Sequence, residues 1–182
     1  MKTTWILGVA LLACASPCAA AQVEMVQGHA VDGTRFYEDS LVIAAPAATL
    51  FRAFSDPAEF RKWASPVSAV DFRLGGVLEA SYDPAGHIGD AENIRQAIVA
   101  YVPDRLIVFR NMQAPSMLPG RAAYPQTVKV LEFADRGDGT TKVTISGVGF
   151  GTGADFDKLY AFFQPGDAGV LKALDAAYGG RK

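Results

Sequence analysis

The chain has 182 residues, with 17 lysines and arginines against 19 aspartates and glutamates, for a formal net charge of −2. Its charges are interspersed rather than blocked, which excludes the clustered basic footprint of a nucleic-acid binder. Two histidines and two cysteines leave little material for a metal site, and no cofactor is expected.

The N-terminus reads as a targeting segment. Lys2 precedes the apolar run TTWILGVALLACA, and SPCAAA supplies small residues before Gln22. That is the anatomy of a secretory signal, too short in its apolar part to span a bilayer. Cleavage after Ala21 divides the chain into residues 1–21, the signal, and residues 22–182, a single domain. Cys14 and Cys18 both fall in the signal, so the mature chain has no disulfide framework. The expected location is outside the cytoplasm, in the periplasm. Leu11-Leu12-Ala13-Cys14 offers the lesser alternative of a lipid anchor on Cys14. No further apolar run of spanning length follows.

Residues 22–35 are a loose lead-in or a first strand and turn. Residues 36–45, FYEDSLVIAA, predict a strand closed by Pro46. PAATLFRAF then predicts a helix with Leu50, Phe51 and Phe54 on one side. Pro57 cannot continue that helix, because it lacks an N–H and its ring clashes one turn back. Asp56-Pro57-Ala58-Glu59 instead starts a second helix. Asp56 caps it, Pro57 takes the first position, and Glu59 reaches back as in a capping box. Phe60 and Trp63 form its apolar side.

Strands follow at residues 68–74 and 76–83 around Gly75-Gly76, then at 93–102, 105–112, 126–135 and 140–150. Between them lie a turn-rich loop over 84–92 and a proline-rich loop over 113–125. The second of these is either a lid, through Met117, Leu118 and Tyr124, or packing on the sheet edge. Residues 155–178 predict an amphipathic helix carrying Phe156, Leu159, Phe163, Val170, Leu171, Leu174 and Tyr178 on one side. Pro165-Gly166 predicts a kink or a split within it. This order predicts an α+β fold. An antiparallel sheet of about seven strands curves around a long C-terminal helix, two short helices after the first strand close one end, and a hollow remains between sheet and helix.

These pieces resemble a known family. Ala45-Pro46 and Leu50-Phe51 through Asp56-Pro57 to Trp63, the turn Asp71-Phe72-Arg73-Leu74-Gly75-Gly76, Val102-Pro103-Asp104-Arg105-Leu106, Asp138-Gly139-Thr140 and Asp157-Lys158-Leu159-Tyr160-Ala161-Phe162-Phe163 are similar to the START-like, or SRPBCC, superfamily. The closest likeness is to its branch named after a chaperone-ATPase activator. The resemblance implies the helix-grip fold. It leaves function open among lipid carriage, hormone sensing, polyketide cyclisation and co-chaperone work.

The candidates for lining the hollow are Trp63, Tyr82, Arg95, Tyr101, Arg110, Met112, Leu159 and Phe163. Arg95 or Arg110 facing inward would anchor an anionic head; facing outward they belong to a solvated surface. Tyr82 or Tyr101 meeting Glu79 or an arginine would point to an enzyme, but no catalytic set is assigned. Asp83, His87 and Asp90 share one loop and read as a solvated turn rather than a metal site. Gly149-Phe150-Gly151-Thr152-Gly153-Ala154 has dinucleotide-site spelling, yet no strand follows the next helix, so it reads as a joint. The expected partner is a small hydrophobic or amphipathic molecule. The alternatives are an enzyme of cyclase or hydrolase type and an interaction module. Oligomeric state is not legible.

Overall fold

A computed structural model describes residues 22–180. The expected signal segment, with Cys14 and Ala21, lies outside the described residues. The elements in chain order are β1 (Glu24–His29), β2 (Arg35–Ile43), α1 (Ala47–Ser55), α2 (Pro57–Trp63), β3 (Val67–Val70) and β4 (Val77–Ser81). Then come β5 (Ile94–Val102), β6 (Leu106–Gln113), a 3-10 helix (Arg121–Gln126), β7 (Val128–Asp135), β8 (Thr141–Phe150) and α3 (Ala154–Tyr178). All eight strands form one antiparallel, unclosed sheet in the order β1-β2-β8-β7-β6-β5-β4-β3. The lead-in is thus a true edge strand, making eight strands rather than about seven.

Strand alternation sends one side chain in two to the concave face. On β2 these are Tyr37, Asp39, Leu41 and Ile43, each at most 3% exposed. On β7 they are Lys129, Leu131 and Phe133, and on β8 Val143 and Ile145. α3 lies along β2 and β8 and against the 3-10 helix, toward one side of the sheet. α3 therefore leaves the inner face of β4 to β6 uncovered, while α1 packs on β7 through Phe51, Phe54 and Phe133.

The Asp56-Pro57 break works as the residues require. Asp56 Oδ1 accepts from the amides of Ala58 (2.7 Å) and Glu59 (3.2 Å). Glu59 does not reach back to complete a capping box. Its carboxylate instead accepts from Lys62 Nζ (2.7 Å) and from the Tyr178 hydroxyl (3.0 Å), pinning the end of α3 to α2. The Trp63 indole donates to Ala53 O (3.0 Å), and Phe54, Phe60 and Trp63 pack edge to face or tilted, so the two short helices form one corner.

Two other expectations are modified. The turn around Gly75-Gly76 is longer than a tight hairpin. β3 ends at Val70, and the turn docks sideways through Gly75 N to Ile98 O and Ile98 N to Gly76 O, both 2.8 Å. α3 is helical over all 25 residues and is not split at Pro165. Burial on both sides of the proline holds it together: Leu159 on one side and Leu171 and Leu174 on the other are all fully buried.

Candidate functional site

The uncovered half of the concave face forms an open cavity of about 900 Å³. Its floor is Leu78, Phe109, Leu131 and Ile145 from the sheet. Phe54, Phe60 and Trp63 from the α1–α2 corner close one end. The flank of α3 closes the side with Phe162, Phe163, Gly166, Gly169, Val170 and Ala173. Gly166, Gly169 and Ala173 fall at helical spacing, and a Cβ at either glycine would meet nothing within 4 Å. A helix with large side chains there would fill the hollow, so the sequence PGDAG opens it.

The two loops make the mouth. Glu79 is buried and paired across strands with Arg95 at 3.5 Å. Its other oxygen accepts from the Gly89 amide (2.6 Å) and Asn93 Nδ2 (2.7 Å), folding the 82–93 loop inward. The Glu92 carboxylate takes both the amide (2.6 Å) and hydroxyl (2.9 Å) of Ser116, tying this loop to the 113–120 segment. Within the 113–125 loop Pro115, Met117, Leu118 and Tyr124 line the cavity, and Leu118 and Tyr124 are also buried in packing with Tyr37, Phe150 and Leu159. Gly120 lets this loop touch α3, since a Cβ there would sit 2.0 Å from Asp155 O.

Sunk into the wall where α3 crosses β2, β8 and β7 is a polar cluster. The Tyr37 hydroxyl donates to Asp167 Oδ2 (2.5 Å) and accepts from Lys129 Nζ (3.1 Å), while Lys129 also pairs directly with Asp167. Lys129 Nζ stands 4.7 Å from the Phe163 ring centre. Both Lys129 and Asp167 line the cavity. Gly147 makes the arrangement fit, because a Cβ on it would lie 2.5 Å from the Tyr37 ring. Burial, followed by the charge of Asp167, pushes the Tyr37 hydroxyl far above its ordinary range. Behind the cluster is Asp39, fully buried, with neither oxygen hydrogen-bonded. Burial first and the neighbouring Asp167 charge second push its carboxyl up to about 6; Lys129 and the Ala168 backbone pull the other way without completing a hydrogen bond.

Of the residues singled out from sequence, Trp63, Tyr82 and Phe163 line this cavity. Tyr82 is at the rim, 75% exposed. Leu159 is fully buried in the packing of α3 on Tyr37, Tyr124 and Phe150. Tyr101 packs on Phe72 (4.9 Å between centres). Arg95 pairs with Glu79, and Arg110 and Met112 are exposed on the opposite face. Register shifts in β5 between Arg95 and Gln96 and between Ile98 and Ala100 break the alternation, so parity along that strand does not report facing. Among the described residues no group of three or more histidines, cysteines or acids is arranged to hold a metal ion.

The cluster went unread in the sequence, though a signal was present. Asp39 shares the parity of Tyr37, Leu41 and Ile43; Lys129 shares that of Leu131 and Phe133; Asp167 lies four residues from both Phe163 and Leu171. Three charges each occupy an apolar phase.

Residues 44–179 match the family described as "Activator of Hsp90 ATPase homolog 1-like protein". The chain belongs to that family. Solved structures agree in fold, within the START-like superfamily. The Aha1 dimer from Colwellia psychrerythraea superposes with a TM-score of 0.61 at 14% identity, covering 78% of this chain and 94% of that one. Protein Ms6760 from Mycobacterium smegmatis gives 0.61 at 20% identity, over 88% and 99%. CalU16 from Micromonospora echinospora gives 0.59 at 16% identity, over 86% and 82%. No curated protein matches the chain. Membership in this family supports a ligand-binding or interaction module in general terms. No helix among the described residues is long and apolar enough to cross a membrane.

Proposed function

We propose that the protein is exported and binds a small hydrophobic or amphipathic molecule between its sheet and α3. The observation that carries this reading is the cavity of about 900 Å³, walled mainly by aromatic and aliphatic side chains. Ligand sites of roughly 300–1,000 Å³ with apolar walls and a few polar groups are the usual pattern. An apolar hollow that the chain's own side chains do not fill forgoes packing contacts that protein interiors ordinarily make. The test is native mass spectrometry of freshly purified protein, backed by titration with a neutral apolar fluorophore. A co-purifying molecule, or saturable binding that Gly169→Leu abolishes, supports the reading. No binding by wild type refutes it.

Export is the second part of the proposal, motivated by residues 1–21. It removes a cytosolic chaperone from the set of partners. Fractionation of the native host, with N-terminal sequencing of the recovered protein, checks it; a cytoplasmic chain beginning at Met1 refutes it.

An enzyme on the same scaffold is favoured by one observation, the hydrogen-bonded Tyr37, Asp167 and Lys129 set on the cavity wall. The tyrosines and Glu79 considered from sequence do not meet inside the hollow.

A further inference from the structure

The polar cluster also restricts what kind of head a bound molecule can carry. Among the described residues Lys129 is the only cation lining the cavity. Asp83, Asp90 and Glu92 are exposed at the mouth, and Asp167 is inside. The charge of Lys129 is already met by Asp167, and the unpartnered carboxyl of Asp39 stands behind the pair. An anionic head would thus pass three carboxylates and arrive where two more share one ammonium. Removing it from water there would find no cation to compensate it.

An uncharged oxygen meets a different situation. An ammonium has three N–H donors. Asp167 and the Tyr37 hydroxyl take two of them. Among the described residues no third hydrogen bond from Lys129 is found, and its nitrogen stands by the Phe163 ring at the cavity wall. A hydroxyl or carbonyl oxygen can accept from it without adding charge.

We infer that the cavity takes an uncharged, mostly apolar molecule bearing a hydroxyl or carbonyl oxygen held by Lys129, and that it discriminates against fatty-acid and phosphate anions. This rests on the cavity reading above and adds the class of head group to it.

The test uses the purified protein at about pH 8 with N-phenyl-1-naphthylamine, a neutral apolar fluorophore. Bound fluorophore is then displaced with 1-dodecanol, dodecanoate or dodecylammonium, all below their aggregation concentrations. Dodecanol is expected to bind roughly tenfold or more tightly than dodecanoate, the scale of one hydrogen bond to a charged donor plus the avoided charge burial, and more tightly than dodecylammonium, whose head has no lone pair to accept from Lys129. Equal or tighter binding of dodecanoate or dodecylammonium overturns the head-group inference and leaves the cavity standing. Failure of the fluorophore itself to bind overturns the cavity reading and the inference with it.

Lys129→Met alone would strand two buried carboxylates, so the second arm removes the charges together as Asp39→Leu, Lys129→Met and Asp167→Leu. Fluorophore binding should persist in that variant, while dodecanol binds about tenfold more weakly than to wild type, the loss of one hydrogen bond from a charged donor. Unchanged dodecanol affinity overturns the assignment to Lys129.

Discussion

Replacing Asp39 by asparagine tests whether the fold carries an uncompensated charge beneath α3. The ordinary carboxyl value is 3.8, and in the fold it rises to about 6, through burial and the like charge of Asp167. A carboxyl that holds its proton more tightly when folded binds more protons in the native state than in the unfolded one. Its contribution to stability therefore falls as pH rises: the penalty is absent below about 4, grows between about 4 and 6, and is complete above that. At ~1.4 kcal/mol per tenfold change in proton affinity, the full penalty is about 3 kcal/mol, of which about 2 kcal/mol develops between pH 4.5 and 7.5. The groups facing Asp39 are Asp167, Lys129 and Tyr37.

Asparagine keeps the shape and removes the charge, though its amide remains without partners. Urea unfolding of wild type and Asp39→Asn at pH 4.5 and 7.5 reads the effect. The stability of the variant relative to wild type should rise by about 2 kcal/mol from the lower to the higher pH. With a urea dependence of about 2 kcal/mol per molar, the relative midpoint moves by about 1 M. A relative midpoint that does not move with pH, or moves the other way, refutes the reasoning, because Asp39 would then have a compensating partner.

Three further substitutions probe the same architecture. Gly147→Ala places a methyl 2.5 Å from the Tyr37 ring, which is fully buried and has nowhere to retreat; it should cost about 1–3 kcal/mol, and an unchanged melting temperature would count against the fit described. Gly169→Leu enters open space and improves helix propensity. It should hold or raise the melting temperature while abolishing fluorophore binding, and binding at wild-type affinity would mean the ligand sits elsewhere. Pro165→Ala restores an amide in the middle of α3 and should stabilise by about 1–3 kcal/mol in chemical unfolding. Loss of stability would show that the helix needs the proline's geometry.

The cavity itself was only partly legible. Trp63 and Phe163 sit on helices whose apolar sides follow from spacing alone, so both could be named from sequence. Arg95 and Tyr101 could not be placed, because two register shifts in β5 reset the alternation on which such placement depends. Lys129, Asp39 and Asp167 each stood at an apolar phase, but a lone charge at such a phase says nothing about partners. Asp39 precedes Lys129 by 90 residues and Asp167 by 128, and the three meet only when α3 crosses β2 and β7.

What the residues settled by themselves is the local geometry: the Asp56-Pro57 restart, the strand–turn order and the long final helix all follow from backbone sterics, capping and periodicity, which act within a few positions. Where α3 rests on the sheet was decided by packing between distant segments. By lying toward β2 and β8 it leaves β4 to β6 uncovered, and the hollow exists because Gly166, Gly169 and Ala173 present no bulk to that space. Short-range preferences fix which elements form. Only long-range contact fixes the volume left between them.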